Sequence, residues 1–338
     1  MSKNTAIRPG PGNLITDVDG LSVGNAADEE VRSGVTVLIP ESPATVAVDV
    51  RGGAPGSRET EALSPACLID QCHGLVLSGG SVFGLDAAGV VCEWLSDHGH
   101  GLPLGARPLP VVPAAILFDR RNGGVWKPGT PSPWRRLARQ ACEEAGKSFS
   151  LGNRGAGFGA IAGPVKGGLG SASFVDDEGL QVGALAAVNS FGSPLVPGTS
   201  HLWAAAFARD GEMGVSAASG PVFSLARPID PEPPFAKAGL AGENTTLCVV
   251  ATNVRLDKAG ALRLAIMAQD GLARAIRPAH TPFDGDVVFA LATGQREGPV
   301  AALDLARIGC LAADCLSRAI GRAVYRARPL GDCPALRG

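Results

Sequence analysis

The chain has 338 residues, a formal net charge of −2, and 45% hydrophobic against 18% charged residues. That length and apolar share exclude a disordered chain, and the near-neutral charge gives no electrostatic reason to expect nucleic acid or an anionic membrane as partner. Glycine is abundant at 46 residues, well above its usual ~7% share, and aromatics are only 5%, which suits closely packed helices and sheets with many tight turns.

Met1 to Val18 holds no apolar run and contains Pro9 and Pro11. No stretch approaches the ~18 apolar residues of a membrane span, so a cytoplasmic protein is expected. The cysteines, at positions 67, 72, 92, 142, 248, 310, 315 and 333, include no Cys-x-x-Cys pair and read as buried thiols in a reducing compartment. His98-Gly99-His100 is the single histidine pair, and without a thiol or carboxylate cluster beside it, it reads as a solvated turn. No metal or cofactor is expected.

In chain order, Gly20 to Gly24 forms a short strand. Gly34 to Ile39 and Ala44 to Val50 follow as a hairpin-like pair around Pro40-Glu41-Ser42-Pro43. Arg51-Gly52-Gly53-Ala54-Pro55-Gly56 is either a nest of backbone N–H groups or a plain turn. Gly74 to Leu77 is a buried strand running into Ser78-Gly79-Gly80-Ser81 and a helix from Val82 to His98, with Phe83, Ala87, Val90, Val91 and Leu95 at helical spacing. The glycine pair allows an anion site at the helix start, but close packing of helix on sheet is favoured. Leu109 to Leu117, broken by Pro110 and Pro113, reads as an edge strand ending at Phe118-Asp119, and a helix runs from Pro131 to Gly146.

Leu151 to Gly170 is dense in glycine, so its backbone can approach a ligand closely, which makes Gly157 a candidate pocket residue together with Arg51 and Phe118. Lys166 stands alone among glycines before a strand from Leu169 to Val175. It is either solvated or aimed at a site. The strand Val182 to Val188 ends at Asn189-Ser190-Phe191-Gly192, where the amide of Asn189 is an oxyanion donor or a turn former. Leu202 to Ala208 is read as a further strand, and Asp210 to Gly242 as a proline- and glycine-rich exposed linker.

That linker enters Asn244-Thr245-Thr246-Leu247-Cys248-Val249-Val250, a polar turn continuing into an apolar β-branched strand. One reading is a strand opened by good β formers. The other is a self-cleaving bond between Asn244 and Thr245. A threonine hydroxyl needs a base beside it, and a break before Thr245 would supply one in the new α-amine, which titrates near ~8. Ala259 to Ile276 is an amphipathic helix. Asp284 and Asp286 then stand at i, i+2 before an apolar strand, so that both carboxylates face one side, as two metal ligands or as a pair holding an ammonium or hydroxyl. Pro299 to Ala327 is a long helix with expected breaks near Gly309 and Gly321.

The order Asn244-Thr245-Thr246, Thr252-Asn253-Val254, helix, Asp284-Gly285-Asp286 resembles the N-terminal-nucleophile amidohydrolases that include L-aminopeptidase/D-amino-acid esterases, β-peptidyl aminopeptidases and endo-type 6-aminohexanoate-oligomer hydrolase. Arg51-Gly52-Gly53, Arg154-Gly155-Ala156-Gly157 and Val188-Asn189 add to the resemblance, which spans residues 12 to 326 and is densest from 243 to 293, where the oligomer hydrolase looks nearest. It implies a four-layer αββα sandwich in one domain, cut into a large subunit Met1–Asn244 and a small subunit Thr245–Gly338. It also implies Thr245 as nucleophile, Asn189 as oxyanion asparagine, Asp284 and Asp286 as the orienting acids, and Lys166 as the lysine of the glycine-rich loop. Phe118 stands where some relatives have a tyrosine assisting at the oxyanion. The expected activity is hydrolysis of small or linear amides by a homo-oligomer, a tetramer of αβ units. The alternatives are an acyltransferase with an N-terminal threonine, or a binding protein on the same fold that never cuts itself.

Overall fold

The computed structural model describes residues 6–214 and 244–337. In chain order the strands are β1 (Ile7–Arg8), β2 (Leu21–Asp28), β3 (Ser33–Pro40), β4 (Thr45–Val50), β5 (Ser57–Arg58), β6 (Leu75–Ser78), β7 (Ala114–Ile116), β8 (Ile161–Ala162) and β9 (Val165–Lys166). They continue with β10 (Gly168–Asp176), β11 (Gln181–Asn189), β12 (Thr245–Val254) and β13 (Val287–Arg296). The α-helices are α1 (Asp86–Asp97), α2 (Pro133–Glu143), α3 (Lys258–Ala275) and α4 (Ala302–Arg326).

All ten residues of β12 are buried, because the strand lies inside the larger sheet, of order β1-β10-β11-β12-β13-β4. It pairs antiparallel with β11 and parallel with β13. A strand buried on both faces needs an almost continuous apolar, β-branched sequence, and Leu247 to Ala251 supplies it. Period-2 alternation then divides its contacts. Leu247, Val249 and Ala251 point to a second sheet, β2-β3-β6-β7-β5, where they meet Leu21, Leu38 and Leu77. Cys248 and Val250 point the other way, into the core beneath α3 and α4. On the outer face of the second sheet, Val35, Val37 and Val76 pack on α1 and α2 through Val91, Trp134 and Leu137. The layers are helix, sheet, sheet, helix, the αββα sandwich that the family resemblance implied.

The glycines account for how closely these layers sit. A Cβ on Gly170 of β10 would lie 2.0 Å from the Ala319 carbonyl oxygen of α4, and one on Gly271 of α3 would lie 2.2 Å from the Ala313 carbonyl oxygen. Gly309 and Gly321 do not break α4. They receive the side chains of Met267 and Met213.

Other expectations are corrected. β3 and β4 do not form a hairpin, for β3 pairs with β2 and β6 while β4 crosses to the other sheet and pairs with β13. Two amphipathic strands in sequence do not specify whether they share a sheet. Leu202 to Ala208 is not a strand but a 3₁₀ turn at Trp203–Phe207, where three successive alanines favour a helical backbone. Of the strand expected from Leu109 to Leu117, only Ala114–Ile116 is extended in a sheet, after the prolines have passed. The helix expected from Val82 begins as a 3₁₀ turn, Ser81–Leu85. Most of the expected linker, at 215–242, lies outside the described residues. Among the described residues no helix is long and apolar enough to cross a membrane.

Replacing Gly170 with Ala should lower unfolding free energy by at least ~2 kcal/mol, since a backbone carbonyl cannot yield as a flexible side chain does. Gly105→Ala, with nothing within 4 Å of the added carbon, should change it by no more than ~0.5 kcal/mol. Urea unfolding of the two variants checks the contrast.

Candidate functional site

Thr245 is the first residue of β12 and lies opposite Asn189, the last residue of β11. Asn244 pairs in parallel with Asp284, just ahead of β13. The Asn244–Thr245 peptide therefore sits where the ends of three adjacent chain segments meet. Thr245 is 3% exposed, and its Oγ1 donates to the Asn244 carbonyl oxygen at 2.5 Å. The same oxygen accepts the Gly285 N–H at 2.8 Å. A Cβ at position 285 would lie 2.6 Å from Thr245 Oγ1 and 2.8 Å from the Ala54 carbonyl oxygen, so only glycine lets the three groups come together.

The acidic pair lies directly behind. Asp284 Oδ1 accepts the Phe191 N–H at 3.0 Å, and its Oδ2 accepts the N–H and the hydroxyl of Thr281. Asp286 Oδ1 accepts the Thr246 N–H at 2.8 Å, and its Oδ2 meets the backbone N–H of His280 at 2.9 Å and its ring Nδ1 at 3.1 Å. All four carboxylate oxygens are thus occupied by donors, which favours the reading of a hydrogen-bonding pair over that of two metal ligands. No group of three or more metal-ligating side chains occurs among the described residues. Burial, and then the charge of Asp286, push the Asp284 carboxyl up to about 6.

Lys166 is not solvated. It is fully buried, its Nζ donates to the carbonyls of Gly157 at 3.2 Å and Gly167 at 2.9 Å, and burial lowers its pKa to about 7. Its backbone N–H donates to the Pro334 carbonyl at 2.7 Å. The short β8–β9 hairpin that carries it lies on the end of β11, where the Ile161 N–H reaches Asn189 Oδ1 at 2.9 Å. Gly157 is needed for this stacking, since a Cβ there would lie 2.2 Å from the Gly168 carbonyl carbon. Asn189 Nδ2 donates to the Phe118 carbonyl at 2.9 Å, so Phe118 enters the site through its main chain.

The structure brings Asn189, Asp284 and Asp286 around Asn244 and Thr245, and connects Lys166 to them through the hairpin. At Arg51, read as a nest of N–H groups or a plain turn, successive backbone N–H groups converge on a main-chain oxygen of this chain. The Arg51 N–H and that of Gly52 both donate to the Asp286 carbonyl at 3.1 Å, and the Ala54 N–H donates to the Asp284 carbonyl at 2.8 Å. The turn grips the backbone of the acidic pair, and the Arg51 guanidinium bonds Asp49. At Ser78–Ser81 the packing role prevails, for a Cβ on Gly80 would lie 2.1 Å from Trp134. The Gly80 N–H is taken by Asp119, a buried carboxyl that burial raises to about 6.

Sequence reasoning saw Gly285 only as the residue between the two acids, without a role, and missed His280 and Thr281. The last two precede Pro282 and read as connection, and the only available signal was a His-Thr pair within six residues of two carboxylates.

Solved structures share this architecture. A beta-aminopeptidase of Burkholderia sp. aligns with a TM-score of 0.70 at 22% identity, covering 98% of this chain and 93% of its own. The L-aminopeptidase D-Ala-esterase/amidase of Ochrobactrum anthropi, described as a variant of the Ntn-hydrolase fold, aligns at 0.67 with 21% identity, covering 97% and 90%. The sandwich is thus of the N-terminal-nucleophile hydrolase type.

The model of peptidase family S58 matches residues 13–333, and the chain belongs to that family as a hydrolase acting on amide bonds. It is 40% identical to an uncharacterized aminopeptidase of Mycobacterium tuberculosis, over 96% of this chain and 97% of that protein. It is 32% identical to the 6-aminohexanoate-oligomer endohydrolase of Paenarthrobacter ureafaciens, over 84% and 76%.

The buried acids make stability depend on pH in a stated direction. The folded chain keeps a proton on Asp284 up to about 6, whereas the ordinary value is 3.8, so this contribution is complete below 3.8 and is lost as pH rises through about 6. Asp119 acts in the same sense over the same window. Unfolding midpoints measured from about pH 4 to 7 should therefore fall less steeply with pH in Asp284→Asn than in the unmodified chain. An unchanged slope contradicts the assignment.

Proposed function

We propose that the chain is a self-processing amide hydrolase whose nucleophile is Thr245, exposed as a new N-terminus by cleavage after Asn244. The observation that carries this reading is the Asn244 carbonyl, whose oxygen is shared by the Thr245 hydroxyl at 2.5 Å and the Gly285 N–H at 2.8 Å. In the uncut chain, Thr245 Oγ attacks the Asn244 carbonyl carbon, and the Gly285 N–H faces the oxygen on which charge develops. One such donor is worth ~3 kcal/mol where it has been measured. Collapse with proton transfer to the Thr245 nitrogen gives an ester between Asn244 and Oγ. Water opens it, leaving an Asn244 carboxylate and a Thr245 that carries both a free amine and a hydroxyl.

In the processed enzyme the α-amine takes the Oγ proton as Oγ attacks a substrate amide, and delivers it to the departing amine. Water then hydrolyses the acyl-threonine ester. Asn189, opposite Thr245, offers the oxyanion the second hydrogen of its Nδ2, the first being held by the Phe118 carbonyl. Asp286 holds the Thr246 N–H and so the start of the strand, while Asp284 fixes the Phe191 backbone beside it. Lys166, with a pKa near about 7, exchanges its proton in the working range beneath the Asn189 end of the site.

The two products of cleavage, Met1–Asn244 and Thr245–Gly338, remain one structural unit, because β12 is hydrogen-bonded on one side to β11 of the large piece. The near-neutral composition and small-residue walls suit small or linear uncharged amides, the class to which β-peptides, D-amino-acid amides and 6-aminohexanoate oligomers belong. A cytoplasmic homo-oligomer of αβ units completes the proposal.

Intact mass spectrometry should find two fragments for the unmodified protein and a single species near 34.2 kDa for Thr245→Ala, which should also lack amidase activity. Two fragments from that variant would overturn the assignment. Asn189→Ala should lower kcat by ~10²–10³-fold on a panel of such amides, read without any added acceptor amine so that transfer and hydrolysis are separated.

A further inference from the structure

We propose that His280 is a positioning residue for the Thr245 reaction, acting through Asp286. The inference rests on the functional reading above and extends it to a residue outside the sequence pattern that led there. Three nitrogens converge on the Asp286 carboxylate, and two of them come from His280: its backbone N–H at 2.9 Å and its ring Nδ1 at 3.1 Å, both on Oδ2. The third is the Thr246 N–H on Oδ1 at 2.8 Å. A carboxylate only accepts, so the ring contact selects the tautomer with the proton on Nδ1. A path of two hydrogen bonds therefore runs from the imidazole through the carboxylate to the peptide group that follows the nucleophile.

The geometry has a second mark. His280 has φ +57°, in the left-handed region that non-glycine residues seldom occupy. Such a conformation persists where surrounding contacts over-determine it, and it brings the backbone N–H and the ring of one residue onto a single oxygen. The next residue, Thr281, does the same to Asp284, giving its N–H and its hydroxyl to Oδ2. The dipeptide thus clamps both acids.

Of the donors on Asp286 among the described residues, only the imidazole belongs to a side chain; the other two are backbone amides. With Oδ1 held by Thr246 and Oδ2 by His280, the carboxylate plane cannot turn about its Cβ–Cγ bond. Without the ring donor, Oδ2 keeps one partner, and the carboxylate can rotate away from Thr246, beside the like charge of Asp284. Because the ring acts on the orientation of the strand start, its loss should be felt in chemistry and self-cleavage, with little change in substrate binding.

Three variants test this. His280→Gly relieves the left-handed backbone and keeps the N–H but removes the ring. His280→Asn tolerates the same backbone and puts an amide nitrogen where Nδ1 stood. His280→Leu keeps bulk without a donor. The proposal predicts that the Gly and Leu variants lose ~10- to 100-fold in kcat and in the rate of self-cleavage, with KM unchanged and a melting temperature for Gly at or above the unmodified value. His280→Asn should recover most of the loss. Unmodified kcat in a folded Gly variant overturns the proposal, as does an Asn variant as slow as Leu. If the Gly variant does not fold, the contrast between Asn and Leu decides the same question. Thr245→Ala is assayed alongside: activity in that variant overturns the nucleophile assignment itself, whereas its inactivity beside a fully active His280→Gly overturns only the role of His280.

Discussion

The arrangement depends on one carbonyl oxygen with two donors. The oxygen of Asn244 is held between the Thr245 hydroxyl and the Gly285 amide, and both are brought there by strand pairing rather than by loop conformation. β11 fixes Thr245 opposite Asn189, and the bridge from Asn244 to Asp284 fixes Gly285. A slip of one residue in either register would turn Thr245 to the opposite face of the sheet. The apolar alternation of β12, half against the second sheet and half against α3 and α4, makes that slip costly. The core thus enforces the site.

Around this centre the fold buries titratable groups that would otherwise be fully charged. Asp284 and Asp119 are pushed up to about 6 and Lys166 down to about 7, in each case chiefly by burial. Lys166 is held by two backbone carbonyls, Asp284 by the N–H groups of Phe191 and Thr281 and by the Thr281 hydroxyl, and Asp119 takes the Gly80 N–H on its Oδ1. Backbone partners give hydrogen bonds without supplying a full opposite charge, so desolvation prevails and the proton balance moves toward neutrality. Groups that change charge near pH 7 in a closed, glycine-walled region are what proton-transfer chemistry needs.

Much of this was legible in the sequence where periodicity and burial coincide. The strands at β10 and β11 and the helix α3 lie within one residue of where apolar runs and helical spacing put them, and β12 opens where the polar turn gives way to its apolar run. What local pattern cannot carry is partnership. Nothing in residues 34–50 says that β3 and β4 belong to different sheets, and nothing in the glycine-rich stretch says that Lys166 is enclosed. The glycines illustrate the same limit: Gly309 and Gly321 look like helix breakers, but they are places where a methionine from elsewhere in the chain must fit. Asp284 and Asp286 were visible as a pair, while the His280-Thr281 clamp was not, because its meaning lies in a left-handed turn that folds it back onto the acids.

The proposed mechanism requires Thr245 to become a chain terminus and to serve as its own base. N-terminal sequencing of the small fragment from purified, catalytically active protein decides whether it does. The expected fragment begins Thr-Thr-Leu-Cys. Active material consisting solely of the uncut 34.2 kDa chain, or a fragment starting at any other residue, would refute the mechanism.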